Sequence, residues 1–188
     1  QFVKKAIADG AVAAVTDQPI DGCPCIVVPD TGTALLQIAA YYRKKFSPIL
    51  VGVTGSVGKT TTKEMIALVL SAAFETLKTQ GNLNNEIGLP KTLLHLAPKH
   101  KAAVIEMGMS HFGEIHRLSC TTQPTIGVIT NIGFSHIENL GSQEGILKAK
   151  LEILDGMQPD APLILNADDP HLAPLAGTLD RPVYTYGL

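Results

Sequence analysis

The sequence predicts an α/β fold, a mostly parallel sheet flanked by helices and preceded by part of a smaller α/β domain, on three observations. From Ile49 onward, short apolar runs alternate with helical patterns, as parallel strands joined by helices require. Polar residues follow these runs directly: Glu106 after Ala102–Ile105, Thr130 and Asn131 after Ile126–Ile129, Asn166 after Leu163–Leu165. The first run, Ile49–Val53, breaks into Thr54-Gly55-Ser56-Val57-Gly58-Lys59-Thr60 before a helical pattern that starts near Thr61.

Residues 1–47 read as the C-terminal part of the smaller domain. Phe2–Ala8 is helical, Ala11–Thr16 and Ile26–Val28 are strands, and a helix runs from Thr31 through Lys45 with Asp30 or Thr31 as its N-cap. Ser47-Pro48 marks the boundary. Nothing in this part carries catalytic chemistry by itself, so a structural or substrate-docking lobe is the preferred reading. The chain opens on Gln1 inside a helical pattern, which reads as a piece of a longer protein.

The stretch after Ile49 has the parts of a phosphate cradle, and so the sheet from residue 48 on is of P-loop type. Glycines let backbone N–H groups turn toward an anion, and the helix N-terminus adds the positive end of its dipole. Lys59 can reach outer phosphates and the Thr60 hydroxyl can hold Mg²⁺. The general pattern asks for Gly five residues before Gly58, where Val53 stands, while the shorter TGxxGKT form is intact. The alternative is a glycine-rich turn that only caps a helix. As a nucleotide site the candidate residues are Thr54, Gly55, Ser56, Val57, Gly58, Lys59, Thr60 and Thr61.

Glu75–Thr79 reads as a short strand that leads into the loop Gln80–Pro90, which holds Asn82, Asn84 and Asn85. Amides there suit hydrogen bonds to sugar or phosphate, and Asn is equally an ordinary loop residue. Residues Lys91–Leu96 look helical. Ligands of open α/β sheets bind outside the carboxyl ends of the strands, so the glycine turn, Glu106, Thr130-Asn131 and Asn166–Asp168 are expected to meet along one rim. Glu106 then faces a Mg²⁺ held by Thr60, with a strand-end ion pair or cap as the alternative. His136 lies just past a strand end in the same loop layer, although an isolated His is more often structural.

In the helix predicted over Ser142–Gly156, Ile146, Leu147, Ile153 and Leu154 share one apolar face. At about 100° per residue, Lys150 falls about 40° from Ile146, inside that face. Lys148, Glu152 and Asp155 point to solvent. Burial disfavours an ammonium, and a neutral amine can add CO2 to become an anionic carbamate able to hold a second Mg²⁺. From the residues alone, a snorkelling lysine is preferred.

Composition excludes several classes. The 188 residues carry 15 Lys plus Arg against 17 Asp plus Glu, a net charge of -2 with no basic stripe, which argues against nucleic acid. A hydrophobic fraction of 45% supports a packed core, yet no run approaches a membrane span. Cys23, Cys25 and Cys120 stand in no zinc or redox spacing and suit reduced thiols in a cytoplasm.

TGSVGKTTT, TQGNLNNEIGLPKTLL, IEMGMSHFGEI, ITNIGFSHIENLGS, KAKLEIL and LNADDP follow one another in the order and spacing of the Mur ligase family. The chain resembles that family from Ile49 to Pro170, and more weakly over residues 1–46. GNLNNEIGLP and EMGMSHFGEI are most similar to members that join D-alanyl-D-alanine to a UDP-N-acetylmuramoyl-tripeptide in peptidoglycan precursor synthesis. The resemblance implies a monomeric cytoplasmic enzyme of cell-wall biogenesis, and hence of cell shape and division, that forms an amide bond with ATP through an acyl phosphate. It implies Lys59 on the γ-phosphate, and one Mg²⁺ on Thr60 and Glu106. His136 would hold a second Mg²⁺ with Lys150, carbamylated. Asn131 and Asn166 would face the adenine side with Asp168 near the nucleotide, and Asn82, Asn84 and Asn85 the muramoyl substrate. It further implies a C-terminal domain that this chain lacks, so the chain alone should have little or no ligase activity. Alternatives are folylpolyglutamate or cyanophycin synthetase-like members, or a non-catalytic nucleotide-binding module. A guanine-specifying NKxD motif is missing.

Overall fold

A computed structural model describes residues 2–188. Its centre is a six-stranded sheet in the order β4-β5-β3-β6-β7-β8, every neighbouring pair parallel. The strands are β3 (Ile49–Thr54), β4 (Thr76–Lys78), β5 (Ala102–Glu106), β6 (Ile126–Ile129), β7 (Leu163–Asn166) and β8 (Val183–Tyr186). The connections from β3 lead to β4 and β5 on one side, and later strands build outward on the other. The order reverses at β3, where such sheets open a crevice at their carboxyl ends.

Side chains alternate between the two faces of each strand. Leu50, Ala103, Ile105, Ile129, Leu163 and Leu165 enter the larger core, which is closed by helices α2 (Thr31–Arg43), α4 (Gly88–Leu93), α5 (Glu114–Thr122) and α7 (Gln143–Leu151). Val51, Val53, Val104 and Val128 face the other way, against Ala67 of α3 (Lys59–Ser71). Near the N-terminus, α1 (Phe2–Ala8) precedes a two-stranded parallel sheet of β1 (Ala14–Thr16) and β2 (Cys25–Val27). Asp30 caps α2 by accepting from Thr33 N at 2.6 Å. That helix docks on the larger sheet's layer: Arg43 donates to the carbonyls of Thr122 (2.7 Å) and Gln123 (2.9 Å), and Tyr42 to that of Leu96 (3.0 Å).

Several elements differ from expectation. The first strand begins only at Ala14, and the helix expected over Lys91–Leu96 starts earlier, at Gly88, because Pro90 sits in its first turn where no N–H is needed. The helix expected over Ser142–Gly156 is α-helical only to Leu151, then tightens into a 3₁₀ turn over Glu152–Gly156. Gly156 lies against the Ser119 carbonyl so closely that a Cβ there would stand 2.1 Å away. Glu152 does not face solvent: its carboxylate accepts from the N–H groups of Gly113 (2.8 and 3.0 Å) and His116 (3.1 Å), covering the α5 N-terminus. No sequence pattern marks α5, β8 or the short helix α6 (Ile137–Leu140).

Candidate functional site

The turn after β3 is bound on all sides. Gly55, at φ 151°, lies so near the end of β6 that a Cβ would stand 1.9 Å from Thr130 Oγ1. Gly58, at φ 80°, caps α3 without a side chain. Thr62 N–H makes the first helical bond to the Gly58 carbonyl, so the preceding amides of Lys59, Thr60 and Thr61 have no helical partner. Thr130 Oγ1 donates to the Val57 carbonyl at 2.7 Å, and Ser56 Oγ accepts from Gly133 N at 2.9 Å. Lys59 Nζ lies back on the carbonyls of Gly55 (2.8 Å) and Ser56 (3.2 Å). Burial pushes its pKa down, against the opposing pull of Glu106. Thr54 is fully buried with an unpartnered hydroxyl, and Thr61 is exposed on the first turn of α3.

Glu106 ends β5 beside Val53 and is 1% exposed. Its Oε2 accepts from Thr60 Oγ1 at 2.9 Å, and its Oε1 from Asn84 Nδ2 at 2.8 Å. The carboxylate thus joins the glycine turn to the asparagine loop. A cleft of about 510 Å³ opens over this junction, with Lys59, Asn84, Asn85, Gly108, Glu114 and His136 among its lining residues. His136 is exposed, at φ 63°, a left-handed conformation rare for a side-chain-bearing residue and found at sites where geometry is imposed. Lys150 is 2% exposed on the inner face of α7 with Ile146 and Ala149, while Lys148 is exposed. Burial, reinforced by the positive charge of Lys59, brings the Lys150 amine down to about 7.

Other predicted residues are placed differently. Asn131 is at the glycine turn: Oδ1 accepts from Val57 N (3.0 Å) and Nδ2 donates to the Val57 carbonyl (3.1 Å). It braces the loop. Asn85 Oδ1 accepts from Ile87 N and Gly88 N, starting α4. Asn82 is exposed and is not among the residues that line the cleft. Asn166 Oδ1 accepts from Asp168 N in a local turn, and Asp168 is exposed against Leu188 N.

Sequence reasoning missed Asp169 and Lys63. Asp169 Oδ2 accepts from Ile132 N at 2.7 Å and Oδ1 from His171 N at 2.9 Å and Leu172 N at 3.1 Å, tying the loop after β7 to the loop after β6. Lys63, fully buried, comes within 3.7 Å of Glu106 Oε2. Its spacing of three from Thr60 was the available signal, since residues three and four apart share a helix face. Glu114, with Ser110 N donating to its Oε2 at 2.6 Å, was also overlooked.

Residues 53–188 match the Mur ligase middle domain. The chain is 47% identical over 192 residues to a UDP-N-acetylmuramoyl-tripeptide–D-alanyl-D-alanine ligase of Synechocystis, covering 100% of this chain and 42% of the relative. A ligase of the same name from Bacillus subtilis is 47% identical over 91% of the chain and 38% of its own length. The structure superposes on MurF from Acinetobacter baumannii with a TM-score of 0.93 at 39% identity, covering 99% of this chain and 42% of that one. On MurF ligase from Thermotoga maritima in complex with ADP the TM-score is 0.91 at 32% identity, over 99% and 44%. The chain therefore spans about two fifths of the length of these relatives.

Proposed function

The chain belongs to the Mur ligase family, and from that premise we propose that the whole protein joins D-alanyl-D-alanine to a UDP-N-acetylmuramoyl-tripeptide at the expense of ATP. The observation that carries the reading is the hydrogen-bonded run Thr60–Glu106–Asn84, which links a phosphate-binding turn to a second loop across one cleft. A ligase must hold a nucleotide and an acceptor side by side, and a nucleotide module that only binds needs no such second wall. Residues 1–47 are read as the end of a preceding UDP-binding domain and 48–188 as the ATP-binding domain, with the incoming dipeptide bound by a part of the enzyme outside this chain.

In this mechanism the tripeptide carboxylate attacks the γ-phosphorus, ADP leaves, and an acyl phosphate forms. The dipeptide amine then attacks the acyl carbon, and the tetrahedral adduct collapses with loss of phosphate. No side chain is acylated, so the protein contributes position and charge. Lys59 exchanges the carbonyls of Gly55 and Ser56 for phosphate oxygens, and the first-turn amides of α3 hold the phosphate chain. His136, which lines the cleft with Lys59, and Lys150, buried within reach of the Lys59 charge, are assigned to the reacting carboxylate's end of the site.

The donor set suits magnesium. One hydroxyl and one carboxylate meet at Thr60 and Glu106, and Mg²⁺ is typically held by one or two carboxylates together with phosphate oxygens and water. Thr60 and Glu106 would hold one ion; His136 and a carbamylated Lys150 would hold a second. Bound there, magnesium neutralises charge building on the phosphates. Asn131 supports the nucleotide by bracing the turn, and Asn84 and Asn85 offer polar edges to the muramoyl substrate.

The test is phosphate release and product mass with the whole protein, supplied with each acceptor in turn. ATP consumption that requires both the UDP-muramoyl-tripeptide and D-alanyl-D-alanine is expected. Turnover with folate and glutamate instead, or ATP hydrolysis indifferent to the tripeptide, refutes the assignment.

A further inference from the structure

We propose that Lys63 is a positioning residue that fastens the loop after β4 to the carboxylate of Glu106; what that loop and carboxylate bind rests on the function proposed above. Lys63 stands on α3 one turn after Lys59 and Thr60, on the face turned toward β4 and β5. Its side chain is 0% exposed, a costly place for an ammonium unless every donor is used. An ammonium has three donors, and here four oxygens surround it. The Thr79 carbonyl lies at 2.9 Å, Glu64 Oε1 at 3.1 Å, the Gly81 carbonyl at 3.4 Å and Glu106 Oε2 at 3.7 Å.

These partners are not a random shell. Thr79 and Gly81 open the loop that carries Asn84 and Asn85, and Asn84 Nδ2 returns to Glu106 Oε1 at 2.8 Å. Glu106 N donates to Thr79 Oγ1 at 3.0 Å, and Gly108 N to the Asn84 carbonyl at 2.8 Å. The loop is thus gripped at its root by Lys63 and at its tip by the carboxylate that the same lysine faces. Glu106 Oε2 also receives the Thr60 hydroxyl, so one cation sets the spacing between the phosphate turn and the opposite wall of the cleft. A leucine would fill the position against the neighbouring core but could hold neither carbonyl. Glu64, half exposed and shared with Lys78, is the replaceable partner.

The test uses the whole ligase carrying Lys63→Met, Lys63→Arg or Glu64→Gln. Amide hydrogen exchange without ligands should quicken about tenfold or more over residues 79–85 in Lys63→Met and stay unchanged over 114–122. In the ligation assay, half-saturating Mg²⁺ and the KM for the muramoyl tripeptide should each rise about tenfold, with the KM for D-alanyl-D-alanine within about twofold. Lys63→Arg, which keeps the charge, should recover part of both effects, and Glu64→Gln should leave both near wild type. Exchange that quickens evenly along the chain, or a stability loss with both KM values unchanged, would reduce Lys63 to a buried structural lysine and overturn the proposal. Should Lys63→Met not fold, Lys63→Gln, which can still donate to Thr79, is read by the same criteria. If the unaltered enzyme does not ligate, the functional reading fails, while exchange over residues 79–85 still decides whether Lys63 fastens the loop.

Discussion

Replacing Lys150 with Met isolates the consequence of burying an amine beside another cation. In the fold its pKa falls from 10.5 to about 7, because burial and the charge of Lys59 both disfavour the ammonium. At 1.36 kcal/mol per unit, the shift corresponds to about 5 kcal/mol of cost to the folded state when the amine is protonated. Above the unfolded value of 10.5 both states are neutral and the cost is nil; below about 7 both are protonated and it is felt in full. Between these limits the unfolded chain holds more protons, so the Lys150 contribution makes stability rise with pH. Lys150→Met should flatten that rise between pH 7 and 10, measured by chemical denaturation across the range. The same shift leaves about half of the amines neutral at pH 7, against about one in three thousand for an ordinary lysine. Protein equilibrated with ¹³C-bicarbonate near pH 7.5 should therefore show a carbamate resonance that Lys150→Met removes and Lys148→Met retains. Lys148, on the solvent side of α7, should change stability by less than about 0.5 kcal/mol when truncated. A resonance that survives Lys150→Met, or an unaltered pH slope, refutes the reasoning from the buried face of α7.

Gly55→Ala must push a methyl group into Thr130 Oγ1 and hold φ at 151°, and is expected to cost about 3 kcal/mol and abolish ATP binding by calorimetry. Gly58→Ala meets no atom within 4 Å and should cost only the left-handed backbone, about 1 kcal/mol by denaturation. Asp169→Ala strands the buried Ile132 N–H and takes from the Leu172 N–H its side-chain acceptor, leaving it the Asp169 carbonyl, and should lower stability by about 1–3 kcal/mol, whereas Asp168→Ala should stay within about 0.5 kcal/mol.

The strands of the larger sheet were legible wherever an apolar run was short, β-branched and ended by a polar residue, as in β3, β5, β6 and β7. The helix α5 was not, because its buried side includes Ser119, Thr121 and Thr122. Their hydroxyls read as loop chemistry in sequence. In the fold, Ser119 and Thr121 bond the carbonyls of Ile153 and Arg117 and so can be buried. The edge strand β8 pairs with one neighbour only, and its VYTY pattern is mostly exposed, leaving little periodic signal. For the site, Gly58-Lys59-Thr60 is a local device, since a strand, a turn and a helix start are consecutive in the chain. The inward angle of Lys150 was also legible, because the angle around a helix is fixed by sequence spacing alone. The snorkelling lysine preferred from the residues was not borne out, since the residue is only 2% exposed.

By itself, then, the sequence determined those features whose geometry is set within a few residues: the phosphate turn, the strand ends and the inward angle of Lys150. Tertiary structure alone decided which polar group meets which across the rim. Asn131 was drawn onto Val57, Asp169 rather than Asp168 was buried, and Lys63 was set beside Glu106, because parallel pairing brings together strand ends that lie tens of residues apart. Hydrogen-bond donors and acceptors must be matched wherever burial removes water. Which residue satisfies that demand depends on the partner that folding delivers, and no local pattern encodes it.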